Sequence, residues 1–386
     1  MNHKPFLAIL KNESGVALLI TLSIIAILVS VSLELNRRVK SGITSAETGK
    51  TQYRLKQMAE SGINIAKAIL IKDANENDVD SVQEEWSDPD ALNNIIKSLG
   101  FGEGDIQLKI IDEMGKIQIN ALIKKYPGHE VDMDQIQLLE NLLSFFISKD
   151  KSQDERDSRE IINCLIDWLD DKDGEAITGL SGAESPYYES LETPYRCGNR
   201  EFFDLNELFF VKGISKDILV KTESLDDLFF NQFVQEEKQP LQLADLFTIF
   251  GNEKDKTNIK KKAHKTYQFS GKININTAPI HVIAAMLPFG KQDLAVSIIE
   301  HRLQKADEKS GYSNPLSDKN WYADVAGLTE EEKEKLEGII TYSSHIFLIE
   351  SKARLKDRTL ILKNVVERQK NKNGKWYCKT LRQQAG

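Results

Sequence analysis

The stretch GVALLITLSIIAILVSVSL, residues 15–33, stands at the front of a polar 386-residue chain and governs how the rest is read. Residues 16–33 carry no charge. At about 1.5 Å of rise per residue they form a helix of roughly 27 Å, close to the hydrocarbon thickness of a bilayer. Lys4 and Lys11 precede the run, and Arg37 and Arg38 follow it. The position of the glycine matters most. A secretory signal puts its small-residue cleavage site after the apolar core, whereas Gly15 lies before it, behind a short polar leader. A cut there removes the leader and keeps the apolar helix. The plainer reading is a signal anchor with an incidental glycine.

Helical character continues past the apolar run. Leu55, Met58, Ala59, Gly62, Ile63, Ala66, Ile69 and Leu70 recur in steps of three and one, which marks one face of a helix. No proline interrupts residues 16–71. One long helix is expected, its first half in lipid and its second half packed on a soluble body. A break near Gly42 or Gly49, giving an anchor and a separate amphipathic helix, is the alternative.

The net charge of −8 and a pI near 5.5 argue against broad nucleic-acid binding, which needs a basic face to displace counterions. The run Lys260-Lys261-Lys262 is local and reads as a solvated loop. Three cysteines are too few for a disulfide scaffold and lack metal-ligand spacing. In an oxidising compartment Cys164 and Cys197 are the candidate disulfide, leaving Cys378 over. Six scattered histidines show no zinc spacing, and no nucleophile motif or phosphate-binding loop is present. His281 and His301 read as surface or packing residues, and the chain is not expected to be an enzyme.

Further along, residues 92–99 suggest a short helix, and residues 106–111 and 116–120 alternate as strands. Residues 132–169 hold two helical groups of apolar side chains. Residues 346–349, 359–362 and 375–378 read as three closing strands, the last two joined through Asn373-Gly374. This order predicts an α+β fold, a helical domain inserted into a small antiparallel one. GKIQINA from Gly115 and GKININTAP from Gly271 look alike, as a divergent duplication would make them.

Asp167, Asp170, Asp171, Asp173 and Glu184 place five carboxylates in eighteen residues, around glycines at 174, 179 and 182. Oxygen ligands on a glycine-bearing loop suit calcium, with Asp170, Asp171, Asp173 and Glu184 as the expected metal set. It is no EF-hand, because Leu169 and Leu180 would fall at the first and twelfth ligand positions. The alternative is a solvated acidic loop.

Several motifs in order resemble protein K, a minor pseudopilin of type II secretion systems. They are GVALLITL from Gly15, QMAESGINIAKAIL from Gln57, DEMGKIQINAL from Asp112, and DWLDDKDGE from Asp167. GAESPYY from Gly182, PYR from Pro194, NELFFVKGIS from Asn206 and GKININTAPIHVIAAML from Gly271 complete the series. The resemblance implies a prepilin-type leader over residues 1–15, cut between Gly15 and Val16 by a prepilin peptidase, with a methylated mature end. It implies a pilin fold: a long N-terminal helix, transmembrane over 16–37 and amphipathic beyond, on a small antiparallel sheet. The pilin domain is expected over 38–122 and 341–386, with an α-helical domain of two helix-hairpin-helix-like halves inserted at 123–340. The implied place is the inner membrane, single-pass, with the body in the periplasm. The implied role is the tip of a pseudopilus assembled with the minor pseudopilins I and J, and calcium sites are implied in the helical domain.

Counting from Val16, the fifth residue is Ile20, where most pilins carry a glutamate that neutralises the N-terminal ammonium of the subunit assembled before. A subunit with no predecessor can dispense with that charge, which is costly in lipid. Glu13 beside the cleavage point departs from the usual leader. Two rivals are a minor pilin of a type IV pilus and a membrane-anchored helix-hairpin-helix DNA-uptake protein. The hairpin at residues 287–293 holds one glycine and an acid where a phosphate grip needs a glycine-rich, basic turn.

Overall fold

A computed structural model describes residues 13–100, 103–146, 158–173, 182–215, 242–254, 266–306 and 311–385. The leader lies almost wholly outside these residues, as do Gly174 and Gly179 of the acidic loop. Helix α1 (Glu13–Glu76) runs unbroken for 64 residues, through Gly42 and Gly49. Its most apolar window has a mean hydropathy of 2.8 and none of it is buried, so its length and composition suffice to cross a membrane.

The second half of α1 behaves as its periodicity requires. Leu55, Ala59, Ile63, Ala66 and Leu70 are buried on one face. They pack on a four-stranded antiparallel sheet of order β1-β8-β9-β10, formed by β1 (Asp105–Asp112), β8 (Ile346–Leu355), β9 (Arg358–Lys370) and β10 (Trp376–Ala385). Alternate residues of β1 (Ile106, Leu108, Ile110) and of β8 (Phe347, Ile349, Ala353, Leu355) face the helix, as the two-residue period of a half-buried strand dictates. Gly62 allows the closest approach, for a Cβ there would lie 2.2 Å from Ser351 Oγ. Helix α2 (Pro89–Ser98), capped by Asp88, covers the same core with Leu92 and Ile96. The β9–β10 hairpin turns at Gly374 with φ of 74°.

A second core begins at Ile117 and ends at Ile340, between β1 and β8 in the chain. Within it, α3 (Met133–Phe146) packs against α4 (Ser158–Leu169) and the helix Ile280–Met286. The domain is not helical throughout. It also holds three two-stranded ladders: β2 (Ile117–Gln118) with β3 (Phe247–Thr248), β4 (Asn252–Lys254) with β5 (Tyr267–Phe269), and β6 (Ile273–Asn274) with β7 (Ile340–Thr341). The strand expected over 116–120 is cut to two residues. Asn120 turns inward instead, its side-chain amide donating to the carbonyls of Phe202 and Ile249 while its oxygen accepts from Phe202 N–H. The two similar segments build one device twice. Each strand pairs in parallel, and Gln118 and Asn274 each accept the backbone N–H two residues on, from Asn120 and Asn276.

A buried polar seam joins the two cores. Asn274 Nδ2 donates to Asp112 Oδ2 at 3.1 Å and to Asp80 O at 3.0 Å, and Thr277 Oγ1 donates to Asp112 Oδ2 at 2.6 Å. Arg368 of β9 donates to both oxygens of Asp80, at 2.6 and 2.7 Å, and to Asp73 Oδ2 at 2.8 Å.

Candidate functional site

The acidic segment follows α4, and helix periodicity decides which carboxylates meet. Asp167 and Asp170 are three residues apart, hence on one face, and both are fully buried. Glu184, at the start of the short helix α5 (Ser185–Glu189), comes in from the other side and is buried too. One oxygen from each of the three lies within 4.8 Å of the others. Asp170 Oδ1 accepts Lys172 N–H at 2.7 Å, but its Oδ2 and both Glu184 oxygens have no hydrogen-bond partner. Burial pushes the Asp170 carboxyl up to about 6. Burial, reinforced by the charges of Asp167, Asp170 and Asp173, pushes Glu184 up to about 8.

Buried carboxylate oxygens without donors are costly, and a hard divalent cation is the ligand that satisfies them. The residues therefore fit calcium. They are not quite the expected set. Asp170 and Glu184 are brought together, while Asp171, one step further round, points away to His129 Nδ1 at 3.2 Å. Asp173 stands nearby, accepting Ser185 N–H at 3.3 Å. Asp167, which the expected set left out, stands with Asp170 and Glu184 where Asp171 was expected, and its spacing of three from Asp170 is the sequence signal that could have pointed to it.

Asp73, Asp80 and Glu84 form a second acidic group, but the Arg368 guanidinium already fills it. The Cys164–Cys197 disulfide is not formed. Both residues are buried thiols, and Cys197 Sγ donates to the Asp167 carbonyl at 3.3 Å. Burial pushes each of the two thiols up to about 12. In the hairpin at residues 287–293, Lys291 donates to Glu332 at 2.8 Å and to the Gly327 carbonyl at 3.1 Å, so its charge is spent inside the fold. His281 packs against Phe146, and His301 stacks on Trp321.

At the other end of the molecule, Gly15 and Val16 sit exposed on α1, and a Cβ at Gly15 would meet nothing within 4 Å. A long helix that is bare and apolar at its start and lies on an antiparallel sheet at its end defines a pilin-like subunit, here carrying a large domain between two strands.

Comparison with known proteins shows what the chain is similar to. Residues 115–225 match the model of the type II secretion system (T2SS), protein K. Over 209 residues the chain is 27% identical to type II secretion system protein K of Pseudomonas aeruginosa, covering 52% of this chain and 58% of that protein. It is 25% identical to protein K of Pectobacterium carotovorum over 210 residues, 53% of this chain and 60% of the relative. The chain thus spans somewhat over half the length of the curated relatives it matches. The fold is shared with a chain of the crystal structure of the GspK-GspI-GspJ complex from enterotoxigenic Escherichia coli. The TM-score is 0.55 at 14% identity, covering 88% of this chain and 99% of that one. The chain is therefore similar to protein K of type II secretion systems over the inserted domain, in line with the resemblance of its motifs.

Proposed function

We propose that this chain is a minor pseudopilin at the tip of a type II secretion pseudopilus, where it helps to initiate assembly and supports export across the outer membrane. One observation carries the reading. A single 64-residue helix is bare over its apolar first half and seated on a sheet over its second, and the protein K match falls in the domain inserted between β1 and β8. A domain of that bulk crowds a fibre shaft and is accommodated at its end. Ile20 in place of a glutamate fits a subunit with no predecessor.

In this reading the apolar helix spans the inner membrane once and the body faces the periplasm. A prepilin peptidase cuts between Gly15 and Val16, and the new N-terminus is methylated. The open space around Gly15 supports this, since the fold itself gives no packing reason for a glycine there. The partners are the minor pseudopilins I and J, by analogy with the complex whose fold is shared. Calcium is held by Asp167, Asp170 and Glu184, with Asp173 close by. When bound it supplies the positive charge that lets three buried carboxylates ionise together, and ties the end of α4 to the start of α5. The role is structural rather than catalytic.

Co-expression with proteins I and J tests the assembly reading. A stable ternary complex by size exclusion is expected, and no association at micromolar concentration refutes the tip role. Intact mass tests the leader. Protein from cells containing the peptidase should begin at Val16, and a start at Met1 refutes the assignment.

A further inference from the structure

We propose that the membrane-proximal end of the body is a cationic collar that docks on the anionic phospholipid headgroups of the bilayer holding the helix. The inference rests on the reading that the apolar part of α1 spans a membrane.

The chain as a whole is acidic, at −8, yet charge is distributed against that balance at one end. Residues 34–54 of α1 hold five cations (Arg37, Arg38, Lys40, Lys50 and Arg54) against Glu34 and Glu47. The end of the β8–β9 hairpin, residues 351–358, holds Lys352, Arg354, Lys356 and Arg358 against Asp357 alone. All four of these cations are exposed. The nearby acids Glu103 and Asp105 reduce the combined excess to four positive charges. Arg38 is paired with Glu34 and Arg54 with Glu103, so the hairpin end, whose four cations have no ion pair with those acids, supplies much of the remaining charge.

The end of the β8–β9 hairpin and Arg37 lie on one side of the helix, flanked by Arg38 and Lys40 at about 80° to either hand, while Lys50 falls on the opposite side. Arg358 donates to Thr48 Oγ1 at 3.4 Å, which fixes the hairpin end to the face of α1 that bears the body. Arg37 lies eleven residues before Thr48, three turns to within about 20° at 3.6 residues per turn, so it stands on that same face. Leu35, Val39 and Ile43 are exposed at four-residue intervals on the far side, roughly half a turn away.

The reach is sufficient. Thr48 is about 20 Å along the axis beyond Leu35, of which the headgroup layer takes roughly 5–8 Å. The remaining gap is about 12–15 Å, roughly one and a half to two Debye lengths at about 8 Å each in physiological salt. A lean of about 20°, ordinary for a membrane helix, together with extended Lys and Arg side chains, closes it. Nine exposed cations spread over a helix and a hairpin end suit a charged plane better than a single soluble anion. The collar would hold the unassembled subunit at one tilt, with its sheet close to the membrane.

The test uses the full chain in nanodiscs of phosphatidylcholine alone or with phosphatidylglycerol, and reads lysine acetylation by mass spectrometry. Lys352 and Lys356 should react about fivefold more slowly on the anionic discs, the factor for one cation held near such a surface. Lys372, on the far β9–β10 hairpin, should be unchanged. Protection should vanish at about 1 M salt, where the Debye length is roughly 3 Å. It should also weaken at Lys352 and Lys356 in the exposed variant Arg354→Gln. Equal rates on both discs overturn the collar, and so does equal protection by inorganic phosphate on neutral discs. A chain that fails to co-elute with discs overturns the anchoring reading and the collar with it, so the two failures are told apart.

Discussion

Calcium should remove the dependence of this protein's stability on pH between about pH 6 and 8. Three carboxylate oxygens within 4.8 Å of one another repel by about 3.5 kcal/mol per ionised pair at an effective dielectric of about 20. Three such pairs amount to roughly 10 kcal/mol, comparable with the whole stability of a domain. Without a cation the folded protein therefore sheds charge by holding protons, on Glu184 up to about pH 8 and on Asp170 up to about pH 6. Both groups bind their protons more tightly folded than unfolded. Their contribution is fully present below the ordinary carboxylate range and is lost as pH rises through 6 and then 8. Each such proton gives a slope of about 1.4 kcal/mol per pH unit. From pH 6 to 8 in chelator, Glu184 alone removes roughly 2–3 kcal/mol, or about 5–10 °C of Tm. With calcium bound, the three ionise together and the slope disappears, so the calcium-induced rise in Tm grows with pH. Scanning fluorimetry of the full chain at constant ionic strength, in chelator, calcium and magnesium, measures this. Magnesium should act more weakly, because it gives up its water reluctantly. Glu184→Gln should flatten the chelator curve and shrink the calcium response. Parallel curves in chelator and calcium across pH 6–8 would refute the reasoning.

Three further outcomes are expected. Arg368→Met leaves Asp80 and Asp73 buried without their partner and should cost about 3–5 kcal/mol in denaturant unfolding, with part recovered by adding Asp80→Asn. Gly62→Val, whose Cβ meets Ser351 Oγ at 2.2 Å and Leu108 at 3.0 Å, should lower Tm by several degrees, whereas Gly49→Ala, in open space, should gain about 0.5–1 kcal/mol of helix stability. Cys164 and Cys197 should resist alkylation at pH 8 in the folded protein and react once it is unfolded, because burial holds both thiols up near 12. A mass count of modified thiols reads the difference.

The long helix, its buried stripe and the four strands of the sheet were legible in the sequence, because each rests on a short-range period of 3.6 or 2. Leu55 to Leu70 recur on one face whatever they pack against, and Asn373-Gly374 makes its turn locally. The motif order carried the resemblance to protein K for the same reason, being a property of the chain alone. The candidate site was half legible. Five acids in eighteen residues marked the region, but choosing Asp167 over Asp171 depends on where the end of α4 faces once Glu184 has folded back on it. The strand at 116–120 failed as a pattern because Asn120 finds partners at Phe202 and Ile249, 82 and 129 residues away. Asp80 with Arg368 and Asp112 with Asn274 lie still further apart, by 288 and 162 residues. Such pairs leave no local period to read. Only burial makes them obligatory, since a charge or amide taken out of water must find whatever partner the folded chain brings to it.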